Sequence, residues 1–350
     1  MTPELEFDAN QSTNLSTLER SEFSDIVNRI FILQADQKMQ GLNINDIWKK
    51  YPMADGQGST VFLQEQDRDS FASLVSEQGR HPDAKSGSGY SVELKLKRFA
   101  MKVSVSELER KTNKYRDVFQ KIISVSDYIY KREELDKTHR LTFGSSESYT
   151  DKDGHTISIK VGDNKSLFNA AHTLAFSANT YSNILASAPR FSQGALELAL
   201  DKLKTNDVDN FGKPRGANDD TTICVAICNF NHTLERALDQ LIRSMTDPDQ
   251  DNQGVVNTYQ NKIKKMVLKY LATNAAGEYD STKKEYWFTI AANTSKMSLD
   301  SRGLEAYSAE LSKEYNSWQD EDTRTWFYGA DQYRDEAILN GKGAVAAFAV

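Results

Sequence analysis

The feature that most constrains this chain of 350 residues is a stretch from Ser106 to about Lys137 without proline or glycine. Ser106 is followed three residues later by Glu109, which is a helix-capping pattern. Apolar residues then recur at helical spacing. They are Leu108, Tyr115, Val118, Phe119, Ile122, Ile123, Val125, Ile129 and Tyr130. At 1.5 Å per residue such a helix is on the order of 45 Å long, so the sequence predicts a structural spine.

Composition limits what surrounds this helix. Hydrophobic residues make up 39% of the chain, below the roughly 45–50% of soluble globular proteins, which indicates extended or surface-rich segments. The net charge of −7 argues against a protein whose whole surface binds nucleic acid. The acidic N-terminus has no signal peptide pattern, and no apolar run is long enough to span a membrane. We therefore expect a soluble protein made in the cytoplasm.

The first hundred residues look unlike a compact domain. Residues 1–18 are polar and predict an extended arm, and Glu19–Met39 has helical periodicity. Residues 54–92 are poor in core residues, which predicts a projecting loop or hairpin. Five glycines lie in this segment. They are Gly56, Gly58, Gly79, Gly87 and Gly89.

A predicted strand follows this loop. From Tyr90 apolar and charged residues alternate, as in a strand with one buried face. Its charged positions include Lys95, Lys97 and the adjoining Arg98. This basic face is either solvated or in contact with an acidic neighbouring chain. A second basic cluster, Lys262–Lys265, has the same two interpretations, with DNA contact as a third.

Residues 141–161 predict a hairpin with strands at Leu141–Phe143 and Thr156–Ile159, because the turn between them ends in Asp153-Gly154. Asp151 and Asp153 have the spacing that opens a calcium-binding loop. The later ligands are missing, so we expect no calcium here.

Residues 162–254 predict a separate compact unit. Ser192–Lys204 and Thr233–Met245 have the periodicity of amphipathic helices, and Thr222–Cys228 is an apolar run typical of a buried strand. Cys224 and Cys228 are half of a metal site at most. No second pair exists, so we interpret them as buried apolar residues. Further strands are predicted at Lys265–Leu268 and Tyr286–Ile290, and near the C-terminus.

No catalytic motif is present. The sequence lacks a His-Glu-x-x-His helix, a Gly-x-Ser-x-Gly turn and a phosphate-binding Gly-x-x-x-x-Gly-Lys loop. His232 and Glu235 form a His-x-x-Glu fragment, for which capping by Asn231 or Thr233 is the simpler explanation. We therefore predict no catalytic residue, no cofactor and no metal, and we expect the protein not to be an enzyme.

An ordered series of segments resembles the major head subunits of Mu-like tailed bacteriophages. Gly162–His172 is similar to their Asp-Gly, Leu-Phe and Ala-His segment, and Phe191–Leu196 to the start of their Ser-opened helix. The series continues along the chain in the same order. It includes Thr180–Leu185, Gly212–Pro214, Leu234–Ala237, Asn257–Tyr259, Tyr286–Phe288 and Trp326–Ala330. The match covers roughly residues 90–345; Thr294–Thr323 does not align, and residues before 90 match only in kind.

This resemblance implies an α+β protein with the Hong Kong 97-type capsid fold. Residues 1–53 would be the N-terminal arm and 54–105 the extended E-loop hairpin. The five glycines of this loop would be hinges on which it swings, with ordinary turn glycines as the alternative. Residues 106–161 would hold the spine helix and hairpin of the P-domain, and 162–254 the A-domain. Residues 255–350 would supply the remaining A-domain strands and the strands that return to the antiparallel P-domain sheet.

The implied function is that of a major capsid protein, which self-assembles into hexamers and pentamers around a double-stranded DNA genome. The implied partners are further copies of the chain, a portal, a scaffolding protein and decoration proteins, with DNA enclosed rather than bound by sequence. We expect it in the virion, after assembly in the host cytoplasm. The alternatives are a cellular nanocompartment shell that holds cargo enzymes, a tail or minor virion protein, and a hydrolase with an unrecognised site.

Overall fold

The structure is a computed structural model that describes residues 44–53, 58–68, 86–112, 115–218, 221–244, 257–260, 262–292, 302–311 and 313–349. Within these residues the protein belongs to the α+β class, as predicted. The predicted arm (1–18), the predicted helix Glu19–Met39, Gly56 and Gly79 lie outside the described residues.

The chain alternates short strands with four helices in its described part. The helices are α1 (Glu107–Lys111), α2 (Tyr115–Thr142), α3 (Gln193–Thr205) and α4 (His232–Arg243). The strands of the first half are β1 (Lys49–Pro52), β2 (Thr60–Arg68), β3 (Ser86–Lys95), β4 (Lys97–Val105), β5 (Ser148–Thr150), β6 (Thr156–Ser158), β7 (His172–Thr173) and β8 (Thr180–Tyr181). Those of the second half are β9 (Thr222–Cys228), β10 (Ile263–Leu268), β11 (Trp287–Ala292), β12 (Ala306–Glu310), β13 (Glu314–Asp320), β14 (Thr325–Ile338) and β15 (Ala344–Ala347).

The described residues fall into two compact units. The smaller unit takes its described residues from Arg98–Arg132 and Ser312–Tyr333, and the larger unit from Gly41–Lys97, Glu133–Leu311 and Arg334–Val350. Helix α2 and strand β14 each contribute residues to both units. The domain boundaries predicted from the sequence remain predictions.

The core of the larger unit is a four-stranded sheet in the order β10-β9-β11-β15. Strand β9 pairs parallel to β10 and antiparallel to β11. It has no polar residue beyond its first position, because both faces of the sheet are covered. Cys224, Ala226 and Cys228 face one apolar cluster, and Val225 and Ile227 face another. The predicted buried strand is therefore confirmed.

Helices α3 and α4 supply much of the second cluster. Helix α3 begins after Ser192, whose side chain accepts a hydrogen bond from the backbone N–H of Ala195 and so satisfies a free donor of the first turn. Helix α4 begins after Asn231, which caps the N–H of Leu234 in the same way. The buried residues of the two helices are Ala195, Leu196, Ala199, Leu203, Leu234, Leu238 and Leu241. The two predicted amphipathic helices are therefore confirmed.

In the smaller unit, strand β14 pairs with β13 and with β4. The cluster behind this sheet contains Val125 and Ile129 of α2 with Ala330 of β14. On β13 the Trp318 ring lies against Gly329, where an added Cβ would come within 2.9 Å of the ring. An aromatic side chain here covers the gap that a strand glycine leaves, a known way of stabilising such positions.

Two predictions about the long helix are wrong. The predicted helix is divided into α1 and α2, because the Thr112 hydroxyl bonds back to the carbonyl of Leu108 at 2.7 Å and the first helix ends there. Leu141–Phe143 does not form a strand. Helix α2 continues to Thr142, whose hydroxyl donates to the carbonyl of Leu271 at 3.0 Å, so tertiary contacts outweigh local β-propensity. The predicted turn instead joins β5 to β6.

Candidate functional site

The candidate hinge glycines differ in their surroundings. Gly58 has a φ of +87° and open space around it, a conformation that favours glycine. Gly87 and Gly89 lie within strand β3, where other parts of the larger unit approach closely. An added Cβ at Gly87 would come within 2.5 Å of the Phe176 ring. Close packing therefore explains these two glycines, and a hinge at any of the five stays a prediction.

Each residue of the predicted basic face has an acidic partner within the chain. Lys95 lies 3.0 Å from Glu93, and Lys97 lies 3.5 Å from Asp335. Arg98 donates to Asp331 at 2.8 Å, and this hydrogen bond and the carboxylate charge raise the pKa of its guanidinium. All three remain exposed, so contact with another chain stays a prediction.

Sequence reasoning missed the polar contacts that hold the β2–β3 hairpin on the larger unit. Asn210, which is buried, donates through its side-chain amide to Glu65 at 2.6 Å and to Asp67 at 2.7 Å. Asn340 donates to the other oxygen of Glu65 at 2.7 Å. No local pattern signals these contacts, because the partners are more than 100 residues apart.

A second missed feature is a buried ionic network in the larger unit. Arg334 of β14 donates to Asp136 of α2 at 2.5 Å and to Glu336. Burial lowers the pKa of the Arg334 guanidinium, but the charges of Glu336 and Asp136 outweigh burial and the pKa is raised. Lys137, the neighbour of Asp136 on α2, donates to Glu133, one turn back along the helix, at 2.6 Å. A sequence signal exists only for this last i, i+4 pair.

The candidate chemical groups have structural roles. Cys224 and Cys228 are reduced and buried, and burial raises the pKa of the Cys224 thiol to about 12. Asp151 accepts from the backbone N–H groups of Asp153 and His155, which closes the predicted turn. Glu235 binds Lys265 at 2.9 Å. No group of three or more metal-binding side chains occurs among the residues that the structure describes.

A half-open cavity of about 740 Å³ lies between α3, the start of β9 and the residues Thr258, Tyr259, Lys262 and Ile263. Its wall carries two acids, Glu197 and Asp201, and two bases, Lys204 and Lys262. Such a balanced wall has no preference for a ligand of one charge. Within the described ranges no helix is both long and apolar enough to span a membrane.

The described surface also exposes several large apolar side chains. Phe62 on β2 is 72% exposed, and Phe230 and Tyr279 form an edge-to-face pair, 4.8 Å between ring centroids, with each ring about half exposed. Exposed aromatic residues are enriched at the centres of protein–protein contacts. They fit an interaction surface better than an enzyme cleft.

Comparisons with known proteins give similarity in structure only. No family model matches the sequence, and no curated protein matches it. The mature capsid of bacteriophage PhiM1 is 10% identical, with 88% of this chain and 87% of that chain covered and a TM-score of 0.49. The capsid of Ralstonia phage GP4 is 12% identical over 86% of each chain, TM-score 0.48. The capsid of Cyanophage P-SCSP1u is 11% identical over 89% of each chain, TM-score 0.49.

Proposed function

We propose that this chain is the major capsid protein of a tailed bacteriophage, with the Hong Kong 97-type capsid fold and of the Mu-like head subunit type. Its copies assemble into hexamers and pentamers that form the icosahedral head around the double-stranded DNA genome. The observation that carries the proposal is the order of elements along the chain, which agrees with the order implied by the sequence resemblance.

That order can be followed from one element to the next. The β2–β3 hairpin takes the place of the E-loop, and the 28-residue helix α2 takes the place of the P-domain spine. Helices α3 and α4 and the sheet built on β9 stand where the A-domain is expected. Strands β13 and β14 stand where the closing strands are expected.

The chemistry of the described residues supports a role based on contacts. The buried ionic groups bind one another, the thiols are protonated and buried, and large aromatic side chains face solvent. Obligate assemblies bury on the order of 2,000 Å² or more per interface, and closed symmetry repeats each contact many times. A subunit of this kind needs complementary surfaces, not an active site.

The same proposal assigns interaction partners and a location to the protein. The residues before Ile44 act as an arm that reaches a neighbouring subunit, whereas Ile44, Ile47 and Trp48 are buried in the core of the larger unit. The shell receives a portal, a scaffolding protein and decoration proteins. Assembly takes place in the host cytoplasm, and the mature location is the virion. DNA is enclosed and not read by sequence, in keeping with the net charge of −7.

Negative-stain microscopy of the recombinant chain after size exclusion tests assembly directly. We expect closed shells, or rings of five and six subunits. A strict monomer or dimer, also in the presence of the scaffolding protein, would contradict the proposal. Shells that co-purify with one enzyme as cargo would favour the nanocompartment instead.

A matched pair of variants tests whether the hairpin contributes to assembly. Phe62 and Gln64 both lie on the exposed face of β2. If Phe62 becomes buried against a neighbour, Phe62→Asp should abolish shells, since an uncompensated charge would enter an apolar contact. Gln64→Asp adds the same charge to the same face and should assemble. Equal assembly of both variants would exclude Phe62 from the contact.

A further inference from the structure

The inner face of the β2–β3 hairpin changes from apolar to acidic along its length. Val61 and Leu63 pack against a cluster that includes Leu94, Tyr307 and Leu339. Residues two apart on a strand share a face, and the next two on this face are Glu65 and Asp67. The outer part of the hairpin therefore docks through carboxylates, which need hydrogen-bond donors once they leave water.

Asn210 provides most of those donors. Its side-chain nitrogen donates to Glu65 at 2.6 Å and to Asp67 at 2.7 Å, and its backbone N–H donates to Asp67 at 2.9 Å. Its side-chain oxygen accepts from the N–H of Ala175 at 3.3 Å. The side chain is 1% exposed. One carboxamide thus connects the hairpin to the loop after α3.

The arrangement brings like charges together. Two carboxylate oxygens that bind one nitrogen atom lie no farther apart than the sum of the two bond distances, and like charges at that separation repel. Among the described residues neither Glu65 nor Asp67 forms an ion pair with a lysine or arginine. Neutral amides alone hold both carboxylates in place, so the docked arrangement depends on Asn210 to an unusual degree.

Strand β3 is shaped for the same contact. An added Cβ at Gly89 would come within 2.5 Å of the Asn210 side-chain nitrogen and 2.8 Å of a Glu65 oxygen. An added Cβ at Gly87 would meet the Phe176 ring. Tyr90 completes the seam with a hydroxyl contact to Thr173 at 2.9 Å. The hairpin can pack this closely against the rest of the larger unit because Gly87 and Gly89 have no side chains.

We propose that Glu65, Asp67 and Asn210 form a hairpin latch, which selects between a docked and a released hairpin, with the Asn210 carboxamide as its release point. The apolar contacts of Val61 and Leu63 keep the base in place in both states, and only the outer part of the hairpin moves. The latch goes beyond the proposed function, because it is a property of the single chain and does not depend on shell formation.

Hydrogen–deuterium exchange of the full chain tests the latch. Asn210→Asp keeps the shape but replaces the donor by a third negative acceptor. We expect exchange in peptides covering 60–68 and 86–95 to rise about tenfold, while the buried strand 222–228 is unchanged, because only local opening is favoured. Asn179→Asp adds the same charge at an exposed residue and should leave the hairpin unchanged. Unchanged exchange in Asn210→Asp would overturn the latch.

A variant of Asp67 extends the test. Asp67→Asn removes one like charge while it keeps an acceptor, and it should slow hairpin exchange. This single variant decides the matter if Asn210→Asp unfolds the whole chain: faster or equal hairpin exchange in Asp67→Asn would overturn the proposal.

Discussion

Two regions of the larger unit, the sheet built on β9 and the end of helix α2, are both buried, but different interactions stabilise them. The sheet built on β9 is largely apolar on both faces, and Trp287, Phe288 and Ile290 of β11 are fully buried. Around the last turns of α2, the buried residues include the charged or polar side chains of Lys137, His139 and Arg334. In the first region burial itself stabilises the fold. In the second, burial costs free energy that only specific partners offset.

This difference predicts which kind of substitution destabilises each region. An apolar contact tolerates replacement by another apolar side chain of similar size, since its free energy depends on the buried apolar area. An ionic contact depends on one atom of one partner, so the loss of that partner leaves a buried charge. The sheet should therefore respond to volume and the ionic network to charge.

The largest effect is expected where volume is lost from the sheet. Phe288 stacks on Phe168, 5.3 Å between centroids, and contacts Phe348. Phe288→Ala should lower the free energy of unfolding by about 4 kcal/mol, because it leaves a cavity that a rigid sheet cannot fill. Denaturant unfolding of the unassembled chain measures this. Phe230→Ala, at a half-exposed ring, is the control, and an equal loss there would refute the distinction by volume.

A somewhat smaller effect is expected where charge is lost from the network. Arg334→Met should cost about 3 kcal/mol, because the buried carboxylates Asp136 and Glu336 both lose the guanidinium that binds them. Further replacement of both acids by leucine should recover most of the loss, although it restores no ion pair. Arg98→Met removes an exposed pair and should change stability little. If the triple variant were less stable than Arg334→Met, charge would not be the controlling factor.

The smallest effects concern pH. Burial raises the pKa of Glu305 above its usual 4.5, as does the charge of Glu65, although Arg215 acts in the opposite direction. Between 4.5 and the raised value the folded chain holds a proton that the unfolded chain releases. Stability should therefore rise as pH falls through that window, and this dependence should disappear in Glu305→Gln.

Asp163 should behave in the opposite way. Burial acts to raise its pKa, but the hydrogen bond and charge of His172 outweigh burial and hold the pKa below the usual 3.8. Its contribution is present above 3.8 and should be lost as pH falls from there to the lowered value. Unfolding curves of Asp163→Asn between pH 3 and 7 check this. If stability changed in the same direction as pH fell through both ranges, the contrast between Glu305 and Asp163 would be removed.

The apolar region could be predicted from the sequence almost element by element. Strand β9 and helices α3 and α4 follow from periodicity and capping residues, because these signals are local. The ionic region could not be predicted. Asp136 and Arg334 are 198 residues apart, and nothing near either residue signals the other. The same holds for Asn210, and for the contact between Thr142 and Leu271 that keeps Leu141–Thr142 in the helix where the sequence predicts a strand.

The glycines show the same limit of prediction from the sequence. Gly87 and Gly89 could be identified as unusual from the sequence, yet their reason is the approach of Phe176 and Asn210, which only the folded chain reveals. Gly58, with its positive φ, is the one described candidate whose conformation itself favours glycine.

The two cysteines make it possible to measure how often the buried sheet opens. Cys224 and Cys228 are fully buried on the same face of β9, and no other cysteine exists to blur their signal. A thiol reagent in solution reaches them only when the sheet parts, so the rate of labelling counts those events directly. Thiol labelling therefore reports the opening of this sheet without an added probe.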